Sequence, residues 1–383
     1  MVELNRSQKQ IQKAASDFAR GEFDKDLALE MESANEFPEK IWKKAADLGF
    51  IGVHFPEAFS GGGMGMMDAC LISEAFCRKD SSMGTALSLS TAGAECLVRF
   101  GGEATKEAFL PKIAEGKIRC GYGFFEPGCG ADLTGVETIA AERDGHWIIN
   151  GTKTHVLNGG VAGVYVILCR TDPEAPAEKG LSLFAVEGDR PGIKAVNAGR
   201  KLGANMIATA DLTFTDLKLP AENLLGKAGR GLAQAESFFQ EAGILIAAQC
   251  LGTAAGAFDR ALAYTKEREQ FNRKLAVFEI TRQKIADMAI RIEQARLITY
   301  EAARRSDAGG KGMDNLGFMA RLTAARTAVD VADEAIQLFG GYGYMKESEV
   351  ERFYRDAKIA ALSLGGATRL KNRIATDVIG KIK

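Results

Sequence analysis

The order of helical and β-type segments is the feature that most restricts the fold of this chain. Apolar residues recur at helical spacing from about residue 3 to residue 116. Short β-type runs such as 164–169 and 181–186 follow, separated by turn sequences. Helical spacing returns from about residue 229. Because strands and helices do not alternate as βαβ units, the chain is predicted to be α+β, without a dinucleotide-binding parallel sheet.

The length supports a division into several domains, since 383 residues exceed what one hydrophobic core holds. We expect an N-terminal helical domain at 1–116 and a central β-barrel-like domain at 117–228. A C-terminal four-helix bundle should occupy 229–383, with Gly309 and Gly310 at the bend between two of its long helices.

Charge and composition exclude several classes of partner. The 49 Lys and Arg residues nearly balance the 50 Asp and Glu residues, so neither nucleic acid nor an anionic membrane is expected to bind. No apolar run approaches the roughly 18 residues of a membrane span. The seven cysteines and three histidines are dispersed, which predicts no metal site and a reducing, cytoplasmic location.

Four motifs occur in one order along the chain. They read Glu-Pro-Gly-Cys-Gly-Ala-Asp at 126–132, Asn-Gly-Thr-Lys-Thr-His-Val-Leu-Asn-Gly at 150–159, Glu-Arg-Glu-Gln-Phe-Asn-Arg-Lys-Leu at 267–275 and Gln-Leu-Phe-Gly-Gly-Tyr-Gly-Tyr at 337–344. Together they resemble the acyl-CoA dehydrogenase family over essentially the whole chain. The resemblance implies an FAD-dependent enzyme that acts on an acyl-CoA thioester and passes electrons to an electron-transfer flavoprotein.

The resemblance also implies that FAD is held between subunits. Arg268 and Phe271 would reach the pyrophosphate and adenine side of a flavin in a neighbouring subunit, with further contacts from Gln337 and Gly341. Arginine suits phosphate oxygens because its hydrogen bonds to them are charge-assisted, and glycine admits close backbone approach. The expected assembly is a homotetramer, or a hetero-oligomer of paired, non-identical subunits.

Around the expected flavin ring the sequence departs from the family pattern. Phe125 and Leu157 replace threonines, His155 replaces a tryptophan, and Ala131 replaces a serine of the thioester pocket. Each hydroxyl lost removes a hydrogen bond of roughly 0.5–1.5 kcal/mol. His155 is interpreted either as a packing residue or as an acid–base group beside the flavin. The remaining assignments are two flavin contacts and one substrate contact: Tyr122, Phe124 and Phe239.

The catalytic carboxylate of the family is missing. Dehydrogenation needs a base for the α-proton, and its usual position corresponds to Leu364, or to Gly365 if one residue is inserted. Some relatives carry the base on the first long C-terminal helix, where this chain has Ala242 and Gly243. Glu241 lies one residue away, so either it serves as a relocated base or it is an ordinary helix carboxylate.

Three functions remain open from the sequence. The first is an oxidising acyl-CoA flavoenzyme with a relocated base. The second is a flavin-bound enzyme that carries out non-oxidative chemistry on the thioester, as desulfinase-like relatives do. The third is a non-catalytic subunit that completes the FAD sites of an active partner.

Overall fold

The computed structural model describes residues 3–310 and 315–380. Its helices are α1 Arg6–Glu22, α2 Lys25–Ala34, α3 Glu39–Asp47, α4 Met66–Lys79, α5 Ser81–Ser88, α6 Ala94–Phe100, α7 Glu103–Ala114, α8 Ala177–Gly180, α9 Gly231–Glu267, α10 Glu279–Asp307, α11 Leu316–Phe339, α12 Val350–Leu362 and α13 Gly366–Ile379. Its strands are β1 Cys120–Gly123, β2 Ile139–Arg143, β3 His146–Leu157, β4 Val164–Arg170, β5 Leu181–Glu187, β6 Ile193–Asn197, β7 Thr209–Pro220, β8 Leu224–Leu225, β9 Glu269–Gln270 and β10 Arg273–Lys274.

Local sequence explains where several helices begin. Asn5 caps α1 through a reciprocal pair in which its Oδ1 accepts from the Gln8 N–H at 2.9 Å and its own N–H donates to Gln8 Oε1 at 3.0 Å. Asp24 caps α2 by accepting from the N–H groups of Asp26 and Leu27, without a reciprocal bond. The carboxylate of Asp307, at the end of α10, accepts from the N–H groups that open α4. The N-terminal helices are therefore fixed both locally and from the C-terminal region.

The central strands form one mixed eight-stranded sheet. Its order is β6-β7-β3-β2-β4-β5-β8, and β1 pairs with β4. Strands β1 and β2 run parallel to β4, and the other pairs are antiparallel. The pairing of β3 with β7 is irregular between Lys153 and Val156, so the backbone bulges at His155. The predicted order of helical, β and helical regions is confirmed.

The C-terminal region packs α10, α11 and α12 with α9, and α13 follows against α11 and α12. The buried positions of α9 are largely small residues such as Ala247, Ala254 and Gly256, so neighbouring backbones approach closely. At Gly256, an added Cβ would lie 2.3 Å from the Arg78 carbonyl oxygen. This close packing joins the N-terminal helices and the bundle in one continuous core.

Two features of α9 and its surroundings were not predicted. By length and composition α9 is apolar enough to cross a membrane, but 78% of its apolar window is buried inside the protein, as in a core helix. The strands β9 and β10, of two residues each, form a hairpin where the sequence predicted only helix. Phe271 and Asn272 take positive φ angles of 52° and 58° at its turn, which asparagine tolerates better than most residues.

Candidate active site and flavin cleft

Strand β1 and the start of α9 bring a group of aromatic rings together. The ring centroid of Tyr122 lies 5.2 Å from that of Phe124 and 5.2 Å from that of Phe238. Phe125 stacks on Phe239 at 6.1 Å with an interplanar angle of 8°. Burial raises the pKa of Tyr122 to about 12, so its phenol is neutral at physiological pH. The structure therefore brings together Tyr122, Phe124, Phe125 and Phe239, with Phe238 among them.

The loop between α12 and α13 meets this aromatic group. Leu364 is 1% exposed and Gly365 has a φ of 86°. A Cβ on Gly365 would lie 2.9 Å from Arg369 Cδ and 3.3 Å from Ala131 Cβ. The Arg369 guanidinium carbon lies 4.9 Å from the Phe239 ring centroid. Of the two positions considered for the missing base, a side chain at Gly365 would have to displace Arg369, and Leu364 already buries one.

A buried arginine that the sequence analysis missed supports this loop. Arg321 on α11 is 1% exposed, and its Nη2 donates to the carbonyls of Ala360, at 3.0 Å, and Ser363. Its Nε and Nη1 have no hydrogen-bond partner among the described residues. Burial lowers the pKa of this guanidinium, which lies near Tyr122. The only sequence signal was one arginine on an otherwise apolar helix face.

Glu241 faces away from the loop that contains Leu364. Successive helical residues are about 100° apart, so on α9 Glu241 points roughly 160° away from Phe239. Its Oε1 lies 3.0 Å from Nη1 of Arg99 on α6. Burial raises the pKa of Glu241; Arg99 opposes this shift, and the nearby Glu95 carboxylate adds to it. The structure thus places Glu241 in a charged cluster between α6 and α9.

His155 lies on the bulge of β3 with a φ of 53°. Its Nδ1 is 2.7 Å from Thr154 Oγ1, and its backbone N–H donates to Asp211 Oδ1 at 2.9 Å. The residue is exposed, whereas Leu157 at the end of the same strand packs against the core that contains Tyr122. Strand β3 therefore presents His155 to solvent and Leu157 to the core.

A buried ion pair fixes the loop that leads to Ala131. Lys153 Nζ is 2.5 Å from Glu126 Oε1, and the lysine side chain is fully buried. Glu126 also accepts the N–H groups of Glu137 at 2.8 Å and Thr138 at 3.0 Å. Burial alone would raise the pKa of Glu126, but Lys153 and these hydrogen bonds outweigh it and lower the pKa. Two of the sequence motifs are therefore joined by one buried contact.

Three residues assigned to the cofactor line a separate open cleft at the far end of α9. Arg268, Gln337 and Gly341 lie on the wall of a cleft of about 530 Å³. Phe271, beside it on the hairpin turn, is 88% exposed. Twenty-nine residues of rise at 1.5 Å each separate Phe239 from Arg268 by roughly 40 Å. The structure therefore divides the assigned cofactor residues into two groups farther apart than the length of one dinucleotide.

Another buried pair belongs to the cluster around Glu241. His54 Nε2 contacts Glu95 Oε1. Burial disfavours the charged imidazole, but the Glu95 carboxylate outweighs it, so the pKa of His54 is raised. Burial likewise opposes the charge on Glu95, and His54 outweighs it, so the pKa of Glu95 is lowered. The structure favours a charged pair, although the side chains are almost fully enclosed.

The His54–Glu95 pair should make stability depend on pH. The contribution of His54 is fully present below its ordinary pKa of 6.5 and is lost as the pH rises through its raised folded pKa. We expect the difference in unfolding free energy between wild type and Glu95→Gln to shrink from pH 6 to pH 9. Urea denaturation at each pH measures it. A difference that grows with pH would contradict the charged pair.

The described residues contain no group of three or more His, Cys, Asp or Glu side chains arranged to hold a metal ion. The polar groups around the aromatic residues are arginine side chains, backbone groups and carboxylates that already form ion pairs. The unpaired guanidinium nitrogens of Arg321 and the open cleft around Arg268 are suited to anionic or hydrogen-bonding groups.

Comparison with known proteins identifies the family. Family models described as the N-terminal, middle and C-terminal domains of acyl-CoA dehydrogenase match residues 5–117, 121–217 and 229–379. The short-chain specific acyl-CoA dehydrogenase of Clostridium acetobutylicum is 37% identical over 94% of this chain and 95% of that protein.

Two further relatives extend the comparison. Subunit CarC of the caffeyl-CoA reductase–Etf complex of Acetobacterium woodii is 34% identical over 93% of this chain and 94% of its own length. The solved structure of butyryl-CoA dehydrogenase from Megasphaera elsdenii superposes with a TM-score of 0.94 at 32% identity, covering 99% of this chain and all of that one. The chain therefore belongs to the acyl-CoA dehydrogenase family, and with it to the FAD-dependent oxidoreductases that act on acyl-CoA thioesters.

Proposed function

We propose that this protein binds an acyl-CoA beside FAD but lacks a protein carboxylate for rapid removal of the α-proton. The observation that carries the proposal is Leu364, which is buried next to Gly365, the glycine that approaches Ala131. FAD, when bound, supplies the acceptor or donor of the hydride at the β-carbon. The aromatic residues exclude water from this region, and Arg321 holds the loop through its carbonyls.

Glu241 does not compensate for the missing base in this proposal. Its carboxylate is paired with Arg99 and points away from Phe239. The raised pKa caused by burial would suit a general base, but a base must also reach the proton it removes. We therefore assign Glu241 to the charged cluster. Ala131 and Phe239 remain the proposed contacts of the thioester and the acyl group.

The FAD site is proposed to be completed by a second subunit. Tyr122, Phe124, Phe125, His155 and Leu157 would meet the isoalloxazine of the chain's own flavin. The roughly 40 Å between Phe239 and Arg268 supports donation of the second group to a flavin in the neighbour. Arg268 forms no side-chain ion pair with a described residue, and a Cβ on Gly341 would meet nothing within 4 Å. A cleft with a free guanidinium and an open glycine fits a pyrophosphate.

Arg268→Ala should lower the flavin content of the purified protein, because it removes charge-assisted hydrogen bonds to phosphate. The measurement is the ratio of flavin absorbance to protein absorbance, together with mass by light scattering. Arg326→Ala is a matched control, since Arg326 is exposed and among the described residues pairs only with Asp330 on its own helix. Full flavin content in Arg268→Ala would contradict the assignment of this cleft.

The same arrangement supports an oligomer, a homotetramer or a hetero-oligomer of paired subunits. We propose that electrons pass to or from an electron-transfer flavoprotein, as the Etf complex of the Acetobacterium woodii relative suggests. The proposed location is the cytoplasm, in keeping with seven free cysteines, six of them buried. Nucleic acid and membrane are not proposed as partners.

A non-catalytic subunit is the second candidate, favoured by the combination of an open Arg268 cleft with Leu364 at the base position. A visible spectrum distinguishes the two candidates. A yellow protein that binds acyl-CoA supports the first proposal. A colourless protein that takes up no FAD, yet restores flavin to an active relative when mixed with it, supports the second.

A further inference from the structure

Three lysine or arginine side chains are buried among the described residues, and one of them lacks a counter-ion. Lys153 contacts the carboxylate of Glu126, and Arg352 donates to both carboxylate oxygens of Asp80 at 3.0 and 2.7 Å. Arg321 forms no ion pair with any carboxylate that the structure describes. A buried charge is costly unless an opposite charge or hydrogen bonds compensate it. The charge of Arg321 therefore needs an explanation that the other two do not.

The end of α12 compensates the charge of Arg321 in part. Its Nη2 donates to the carbonyl of Ala360, in the last turn of the helix, at 3.0 Å and to the carbonyl of Ser363, which caps the helix. The C-terminus of a helix carries roughly half a negative elementary charge. Because arginine keeps its proton even when buried, about half a positive charge remains. Nε and Nη1, which bear the other N–H groups, have no partner among the described residues.

Arg321 packs against the face of α9 that carries Phe239. Gly243 follows Phe239 by four residues, so the two positions lie on the same side of the helix. A Cβ added to Gly243 would lie 3.7 Å from the Cβ of Arg321. The buried arginine and the aromatic group are therefore neighbours along one side of α9.

The charge of Arg321 acts on this aromatic group. The titratable and charged groups that interact with it are Cys250 on α9, Tyr122 on β1 and Arg369 on α13. Burial raises the pKa values of Tyr122 and Cys250 to about 12, and the positive charge of Arg321 opposes both shifts. Both side chains are neutral at physiological pH, and Arg369 pairs with Glu236. None of these groups cancels the charge, so Arg321 contributes a positive potential at the aromatic group.

We propose that Arg321 stabilises the negative charge that develops on an acyl-CoA thioester when its α-proton is removed. This inference rests on the acyl-CoA binding proposed above. The α-C–H bond breaks, its electron pair is delocalised onto the thioester oxygen, and the proton is released to solvent. A fixed positive charge in a site that excludes water favours the resulting anion. The charge of Arg321 thus has a role in addition to the hydrogen bonds that hold the loop.

The test is the ionisation of 3-oxobutanoyl-CoA bound to the holoprotein. This ligand has an acidic α-proton, and its β-carbon carries no hydrogen, so it forms the anion without reducing the flavin. The ultraviolet absorbance of the anion, measured against pH, gives the acid dissociation constant of the bound ligand. Half an elementary charge acting over roughly 6–8 Å, at an effective dielectric constant of about 20, changes that constant about five- to tenfold. The bound ligand should be more acidic than the free ligand by at least this factor.

Two variants separate the charge of Arg321 from its hydrogen bonds. Arg321→Gln keeps N–H donors for the loop carbonyls but removes the charge, so the acid dissociation constant of the bound ligand should fall about five- to tenfold. Arg321→Lys keeps the charge and changes the donor geometry, so the constant should stay close to that of wild type. Arg326→Gln is the matched control, because it removes the same charge from an exposed position on the same helix. It should leave the constant unchanged.

Each outcome supports or overturns the proposal. Equal shifts in Arg321→Gln and Arg321→Lys overturn it, because they would show that only the hydrogen bonds to the loop matter. A wild-type constant in Arg321→Gln overturns it as well. If Arg321→Gln does not fold, wild type decides, since a bound ligand no more acidic than the free one contradicts a positive potential at the thioester.

Failure of the proposed acyl-CoA function gives a different result. Isothermal titration would then show that neither butanoyl-CoA nor 3-oxobutanoyl-CoA binds more tightly than free CoA, and the inference about Arg321 would fail with the function. Tight binding of both ligands without a shift in acidity would overturn the inference alone.

Discussion

Leu364→Glu should accelerate reduction of the bound flavin by a straight-chain acyl-CoA by about 10²- to 10⁴-fold, the usual contribution of a general base. The wild-type reaction should be slow, because Leu364 is a buried alkyl group and the next residue, which approaches Ala131, is a glycine. Leu364 already has a φ of 51°, so the substitution introduces no new backbone strain. Arg321 donates to the carbonyl of the preceding residue, Ser363, so the new carboxylate would be introduced beside a buried guanidinium.

The measurement is the loss of flavin absorbance after anaerobic mixing with acyl-CoA in a stopped-flow instrument. Leu364→Gln is the matched control, because it has the same shape without a basic oxygen and should remain slow. Gly365→Glu should accelerate flavin reduction less than Leu364→Glu does, since its Cβ would lie 2.9 Å from Arg369 Cδ. Glu241→Gln should leave the wild-type rate unchanged.

Fast bleaching of the wild-type protein would contradict the absence of a base. If that activity were lost in Glu241→Gln, the relocated base would be Glu241 despite its pairing with Arg99. If fast bleaching survived Glu241→Gln, neither the absence of a base nor the assignment of Glu241 as the base would hold. His155 would then be the next residue to replace. The variants at Leu364, Gly365 and Glu241 therefore separate the alternatives that the sequence left open.

Lys153→Met should destabilise the protein by about 3–5 kcal/mol at neutral pH, because it leaves the buried Glu126 carboxylate without its counter-charge. The contact is 2.5 Å long and almost wholly enclosed. In wild type the lowered pKa of Glu126 gives stability above pH 4.5 that is lost as the pH falls through the folded pKa. Without Lys153, the burial of Glu126 dominates and favours its protonated form. The loss of unfolding free energy in Lys153→Met relative to wild type should therefore become smaller towards acid pH.

Chemical denaturation at pH 7.5 and pH 5 tests this expectation. The double variant Glu126→Gln/Lys153→Met should be more stable than Lys153→Met alone, because no unpaired charge remains. Removing an exposed pair by Arg326→Ala should cost at most about 1 kcal/mol. A loss in Lys153→Met no larger than in Arg326→Ala would show that the buried pair contributes little.

Much of the fold was predictable because its signals are local. Helical spacing before residue 117 and after residue 229, with β-type runs between, predicted the observed order of regions. The four motifs predicted the family and its FAD dependence, which the comparisons confirm. The hairpin at Phe271 was missed because two-residue strands carry no periodic signal. The length of the apolar stretch in α9 was underestimated because its many small residues do not form an obvious apolar run.

The site was predictable only in part, for a geometric reason. A motif states which residue types are present, and it led to the prediction that Leu364 or Gly365 replaces the base. The structure adds what the motif could not show, namely that a side chain at Gly365 would meet Arg369 and Ala131. The roles assigned to Tyr122, His155 and Arg268 remain predictions until the variants are made.

The sequence by itself determined the class of fold and the family, since these depend on residue type and spacing along the chain. Tertiary structure alone decided which groups meet. It buried Arg321 under the loop of Leu364 and turned Glu241 towards Arg99. Contacts between residues far apart in the chain depend on helix rotation and packing distance, and neither quantity is encoded in any local pattern.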